Sequence, residues 1–313
     1  MDYVIFILSL ASLIWGADLL IAQSERIALR FNISEYVIGA TLIALGTSLP
    51  EMAASVAASY NGKPELAVSN VIGSNILNIT LVLATVFLLA KKVNPHRDFF
   101  AKDSSWALFP VLIFVVMSME GSFTRIDGVL LLALMVAYLL FLKNNGAEVL
   151  ALEEESIEEA EEAPFSWLRV GVMLIVGFIL VIVGAEFTVE SASSIARSLG
   201  VSEWVIGIIM ISLGTSMPEL IVSIVAAIKG KADMAIGNII GSNMANITVV
   251  LGSAAIVNDL KLDMNRYLFD IGTMVAATLM LVFITANKMY SKPAGISLLV
   301  LLGIFLHHTI SSL

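Results

Sequence analysis

The chain alternates between long apolar runs and short polar clusters. Ten runs are long enough to cross the roughly 30 Å hydrocarbon core of a bilayer: about 3–21, 36–59, 66–90, 104–119, 126–142, 167–187, 201–228, 234–257, 266–286 and 294–313. Within each run the apolar residues are continuous rather than alternating, which argues against a transmembrane barrel. They predict helices, because in lipid every backbone polar group must be satisfied within its own segment. The first run has no basic leader and no small-residue cleavage site, so it is expected to be a retained helix.

One polar stretch lies inside a run and then recurs. Gly46-Thr47-Ser48-Leu49-Pro50-Glu51 returns as Gly214-Thr215-Ser216-Met217-Pro218-Glu219. A shift of 168 positions, which takes 46 to 214, aligns residues 16–84 with 184–252 without a gap, and close to half of the aligned positions are identical. The first copy begins in run one and the second in run six, so five crossings separate them and the copies must face opposite ways. The expected fold is therefore an all-α membrane protein of ten transmembrane helices in two inverted five-helix repeats. Its parts are residues 1–143, a linker over 144–166, and residues 167–313. Inverted repeats with broken helices at mid-depth are the design of secondary transporters, whose sites lie between the halves.

Composition supports this outline. The 313 residues are 58% hydrophobic and 14% charged, with mean hydropathy +0.95, which excludes a soluble globular protein. The net charge of -9 offers nothing to nucleic acid, and most of the excess comes from eight glutamates between Glu148 and Glu162. That linker is too polar and too uniformly charged to pack, so it reads as a solvated connector. With both termini outside, twelve of the 17 Lys and Arg fall in inside loops, as the positive-inside rule requires. The expected location is thus the cell membrane, multi-pass, with N- and C-termini outside and the linker in the cytoplasm. There are no cysteines, hence no disulfides or thiolate metal sites. The oligomeric state has no signature in the sequence.

The candidate chemistry lies in the repeated stretch. A proline within a helix frees the carbonyl four residues back, so Pro50 and Pro218 are expected to free those of Gly46 and Gly214. Thr47, Ser48, Thr215 and Ser216 supply hydroxyls beside them, and Glu51 and Glu219 place a carboxylate at membrane depth, where ionisable groups usually mark a substrate path. Thr47 with Glu51 and Ser74 with Asn78 are four apart, as are Thr215 with Glu219 and Ser242 with Asn246, so each pair shares a helix face. Such oxygen clusters suit hard cations. The alternative for the hydroxyls is repair of the broken helix, and for Asn78 and Asn246 hydrogen bonding between helices. An enzyme is not expected, since the three histidines lie outside the repeat and no nucleophile–base pair can be placed.

At Gly39-Ala40-Thr41 through Glu51, at Ile72-Gly73-Ser74-Asn75 through Asn78, and at their second copies, the chain resembles the Ca²⁺/cation antiporter superfamily, most closely its prokaryotic Na⁺/Ca²⁺ exchangers. The resemblance implies antiport of Ca²⁺ against Na⁺ by alternating access, with these ions as cargo and no cofactor. It implies that Glu51 and Glu219 are ligands shared by both ions, and that Thr47, Ser48, Ser74, Thr215, Ser216 and Ser242 add hydroxyl or carbonyl oxygens. The carbonyls of Ala44 and Ser212 would complete outer Na⁺ sites, with Asn78 and Asn246 flanking. One departure is visible: such exchangers carry aspartate where this chain has Asn246, so its site would hold two carboxylates. An H⁺-coupled or K⁺-dependent cation exchanger is the alternative within transport, and a cation channel the alternative outside it.

Overall fold

The computed structural model describes residues 1–90, 95, 98–145, 165–201 and 214–311. It is helical almost throughout: α1 (Asp2–Phe31), α2 (Glu35–Thr47), α3 (Leu49–Tyr60), α4 (Pro64–Leu89), α5 (Phe99–Ser118), α6 (Arg125–Asn145), α7 (Trp167–Ser198), α8 (Met217–Ile228), α9 (Ala232–Val257), α10 (Met264–Ala286) and α11 (Lys292–Ser311). Among the described residues eight helices are long and apolar enough to cross a membrane, or nine when the bent pair α2–α3 counts as one span. The run at 201–228 appears only through α8, its remainder lying outside the described residues, as do Glu148–Glu162 of the linker.

Several elements depart from the expected bounds for identifiable reasons. α1 and α7 each continue about ten residues past their apolar run. Polar side chains do not stop a helix; a left-handed residue does, here Asn32 at φ 52° after α1 and Gly200 at φ 83° just beyond α7. The run 36–59 is broken at Ser48, where the axis bends by 44°. Pro50 does not sit in a helix interior. It occupies the first turn of α3, where its missing N–H costs nothing, and Pro218 does the same in α8. The first copy of the stretch therefore ends one helix and starts another, and the second copy starts α8.

α1 and α7 lie against each other and run antiparallel. Ser194 Oγ donates to Asp2 Oδ2 (2.5 Å), Thr188 Oγ1 to Ser9 Oγ (2.9 Å) and Ser12 Oγ to the Leu180 carbonyl (3.3 Å). Glycines allow the approach, since a Cβ on Gly16 would stand 2.9 Å from the Gly177 carbonyl and one on Gly184 would stand 2.9 Å from the Leu13 nitrogen. These helices turn Ile7, Leu8, Trp15, Leu168 and Ile175 outward, as a lipid-facing wall requires. α4 and α9 are the inner spans, with 78% of their most apolar windows buried against 28% to 33% for α1, α5, α6, α7 and α11. One further element joins two loops at one end: Ser122–Phe123 and Leu260–Lys261 pair as a two-residue antiparallel ribbon.

Both inner helices change hydrogen-bond period part-way along their length. π turns span Asn78–Leu83 in α4 and Asn246–Val250 in α9, 168 positions apart, and a third spans Gly39–Ile43 in α2. Single π turns inside α-helices tend to occur at functional sites.

Candidate ion site

The break at Ser48 sets the geometry. Because α3 begins immediately after it, Glu51 falls in the first turn of α3, and Glu219 likewise in the first turn of α8. Helix N-termini favour negative charge, so the fold partly supports a carboxylate that lipid would not. Both glutamates are fully buried, as are Ser48, Ser216, Thr47, Ser74, Ser242, Asn78 and Asn246, while Thr215 is half-buried.

The two copies of the motif meet. Ser48 Oγ donates to Glu219 Oε1 across 3.1 Å, and Ser216 Oγ donates to Ser74 Oγ at 3.4 Å. The hydroxyls of Thr47 and Ser242 also lie beside Glu219, and that of Thr215 lies beside Glu51. Glu51 and Glu219 lie close enough for a charge on one to be felt by the other. Around them, Asn78 Nδ2 donates to Asn243 Oδ1 (3.0 Å), whose Nδ2 donates to the Asn75 carbonyl (3.3 Å).

This cluster is under-satisfied. Among the described residues, both carboxylate oxygens of Glu51, Glu219 Oε2, Ser242 Oγ, Asn78 Oδ1 and both polar atoms of Asn246 are buried without a hydrogen-bond partner. Each such atom costs on the order of 1–3 kcal/mol, and more when charged. Orphaned buried groups in a native structure call for an explanation, an unoccupied ion site among them.

The remaining expected residues divide. The Ala44 carbonyl is buried and already accepts from the Ser48 N–H (3.0 Å) and the Thr47 hydroxyl (3.3 Å). Ser212 lies outside the described residues. Among the described residues no group of three or more His, Cys, Asp and Glu is arranged to hold a metal; the cluster has two carboxylates and is otherwise neutral oxygen.

Comparison with known proteins accounts for the arrangement. The profile of the sodium/calcium exchanger protein family matches residues 1–143 and 170–310. The chain belongs to the sodium/calcium exchanger family. It is 38% identical over 297 residues to an uncharacterized membrane protein of Methanocaldococcus jannaschii, covering 95% of this chain and 94% of that one. It is 28% identical over 341 residues to the sodium/calcium exchanger MaX1 of Methanosarcina acetivorans, covering 97% of each. Its fold is similar to that of the solved sodium-calcium exchanger NCX_Mj, with a TM-score of 0.81 at 34% identity, covering 98% of this chain and 97% of that one. This family member is a multi-pass helical membrane protein of an antiporter kind, and its relatives are exchangers rather than enzymes.

Sequence reasoning missed four residues of this family member's site region. Asn70 and Asn238 bridge the halves: Thr215 Oγ1 donates to Asn70 Oδ1 and Thr47 Oγ1 to Asn238 Oδ1, each at 3.5 Å. Their amides donate to Ser55 Oγ (2.9 Å) and Ser223 Oγ (3.0 Å). The signal was available, because Asn70 extends the four-residue stripe of Ser74 and Asn78 by one turn, Ser55 extends that of Thr47 and Glu51, and both recur 168 positions later.

Proposed function

We propose that this protein is a secondary antiporter that expels Ca²⁺ in exchange for Na⁺ by alternating access. In this reading Glu51 and Glu219 ligate both ions, and Thr47, Ser48, Ser74, Thr215, Ser216 and Ser242 contribute neutral oxygens. Asn78 and Asn246 flank the site, and the carbonyls of Ala44 and Ser212 serve outer Na⁺ positions. The observation that carries it is the set of orphaned, buried oxygens on the two motif copies, gathered where a dehydrated hard cation would satisfy them together. Two carboxylates neutralise one Ca²⁺, so replacement by more than two Na⁺ makes the exchange electrogenic.

The scaffold reading belongs with it: ten spans, two inverted halves over 1–143 and 167–313, an acidic cytoplasmic connector at 144–166, and both termini outside. The antiparallel course of α1 and α7 supports inversion, because their aligned parts, 16–31 and 184–199, are repeat counterparts. Their glycine-lined contact suits a pair that moves as one body against the site-bearing helices.

The test is flux in proteoliposomes loaded with Na⁺. Wild-type protein takes up radiolabelled Ca²⁺ down the Na⁺ gradient, and Glu51→Gln and Glu219→Gln each abolish that uptake. A variant that transports like wild type removes its glutamate from the site. Uptake driven by a pH gradient without Na⁺ selects the proton-coupled alternative, and uncoupled flux selects a channel.

A further inference from the structure

Asn70 and Asn238 are absent from the ligand set above, yet each makes the same three-way connection. Asn238 is buried on α9, with its amide anchored on Ser223 of α8 and its oxygen turned to the Thr47 hydroxyl of the opposite half. Asn70 repeats this from α4, anchored on Ser55 and the Glu51 carbonyl and turned to Thr215.

A hydroxyl has one hydrogen and two lone pairs. It can face a cation only if its hydrogen is held elsewhere. Thr47 has three acceptors for that hydrogen: the Ala44 carbonyl at 3.3 Å, Asn238 Oδ1 at 3.5 Å, and the Glu219 carboxylate beside it, which is itself a proposed ligand. If the hydrogen goes to Ala44, it occupies a carbonyl that could itself meet a cation. If it goes to Asn238, the hydroxyl oxygen and the carbonyl are both released. The asparagine oxygen can take this part because its own amide end is pinned by a buried serine, which fixes which end faces the threonine.

We propose that Asn70 and Asn238 are positioning residues of ion exchange. Each draws the hydrogen of the opposite half's threonine out of the ion cavity, so that the hydroxyl oxygen becomes a ligand, on the Thr47 side together with the Ala44 carbonyl. The inference rests on the antiporter reading and names what sets its Na⁺ affinity. Na⁺ carries a single charge and depends on neutral oxygens more than Ca²⁺, which two carboxylates hold. Loss of the asparagine therefore weakens Na⁺ more than Ca²⁺.

The experiment is a mutant cycle on the full chain in proteoliposomes with Asn238→Ala, Thr47→Val and the double variant. Two modes are read: Na⁺-dependent Ca²⁺ uptake over a Na⁺ series, and Ca²⁺/Ca²⁺ exchange without Na⁺. Asn238→Ala is expected to raise the Na⁺ half-saturation concentration about tenfold, the low end of what outer-shell partners do to metal sites, with Ca²⁺/Ca²⁺ exchange nearly unchanged. Because the asparagine acts through the threonine, the double variant is expected to be no worse than Thr47→Val alone, a non-additivity typical of groups in contact. Ser223→Ala, which loosens only the anchor, shifts Na⁺ dependence in the same direction by less.

An unchanged Na⁺ half-saturation in Asn238→Ala overturns the proposal. So does additivity with Thr47→Val, or an equal fall in the maximal rate of both modes with Na⁺ dependence intact, which is the mark of a packing role. Should Asn238→Ala fail to fold, the cycle of Asn70→Ala with Thr215→Val on the half-buried side decides by the same criteria. Absence of Na⁺-driven uptake in the wild type would instead sink the antiporter reading itself, so the two failures are separable.

Discussion

Asn246 shows how a single side chain bears on ion binding. Its Oδ1 and Nδ2 are both buried with no hydrogen-bond partner among the described residues, and in the proposed site it flanks two carboxylates whose charge equals that of one Ca²⁺. Asn246→Asp inserts a third carboxyl of nearly the same shape. At acidic pH that carboxyl is protonated and neutral like the amide it replaces, so the variant should bind Ca²⁺ much as wild type does. As pH rises and it ionises, the attraction for a divalent cation grows. The expected result is a variant-to-wild-type ratio of Ca²⁺ affinity, measured by calorimetry in detergent, that increases with pH. A ratio independent of pH would place Asn246 away from the bound ion. The two glutamates and their hydroxyls were legible in the sequence because a carboxylate at membrane depth is conspicuous and its recurrence more so. Asn70 and Asn238 were passed over because an asparagine within a polar stripe has no such cost attached, and only the packing reveals which atom it faces.

At the scale of elements, the site depends on how closely α9 approaches α2. A Cβ on Gly237 would lie 2.5 Å from the Tyr36 carbonyl oxygen, and one on Gly241 would lie 2.6 Å from Ala40 Cα. Both obstacles are backbone, which cannot rotate aside, so Gly237→Ala or Gly241→Ala is expected to cost about 1–3 kcal/mol, the usual range for overpacking. Thermal unfolding in detergent reads this as a lowered Tm. Gly303→Ala is the control, because a Cβ there meets nothing within 4 Å. A Tm for Gly241→Ala equal to that of the control would refute the contact. The spans were legible because lipid imposes a continuous apolar run, but a run reports only the part of a helix that crosses lipid. That is why the ends of α1 and α7 lay beyond it, set by Asn32 and by Gly200. The π turns were not legible at all: a one-residue change in hydrogen-bond period leaves no mark on an apolar pattern such as Ile79 to Leu83 or Ile247 to Val250.

Taken as a whole, the molecule is less symmetric than its sequence repeat. α1 packs along α8, whereas its counterpart α7 barely touches α3. Ion pairs follow the same bias. Lys229 pairs with Asp18 of α1, and Lys231 pairs with Glu25 of α1 and, at 2.9 Å, with Glu35 of α2. Asn61 and Ser193 stand at the counterparts of Lys229 and Glu25, so those two pairs are not repeated; Lys63 repeats Lys231, and Glu203, the counterpart of Glu35, lies outside the described residues. Thr47 and Asn238 are buried, while Thr215 and Asn70 are half-buried, which fits one end shut and the other looser. Burial works against the Lys231 ammonium, but Glu25 and Glu35 outweigh it and hold its pKa above the usual lysine range. A raised pKa means that the stabilisation is fully present below the ordinary lysine value of about 10.4 and fades only as pH climbs past it. The lysine's charge is therefore constant across physiological pH, and its part in the latch is tested by charge substitution instead. Lys231→Gln leaves two partly buried carboxylates uncompensated, and on the proposed alternating-access mechanism a loss of roughly 1 kcal/mol would shift the balance of its two states about fivefold. The chain has no cysteine, so a thiol introduced by Ser24→Cys, at a buried position on α1, reports opening through its rate of reaction with a membrane-impermeant maleimide. That rate is expected to rise severalfold in Lys231→Gln, and to return when Lys231→Glu is paired with Glu25→Lys. The Asp18–Lys229 pair is more exposed and more screened by salt, so Lys229→Gln should change it less. Equal labelling in Lys231→Gln and in the parent would mean that the ion pairs decorate this interface without holding it shut.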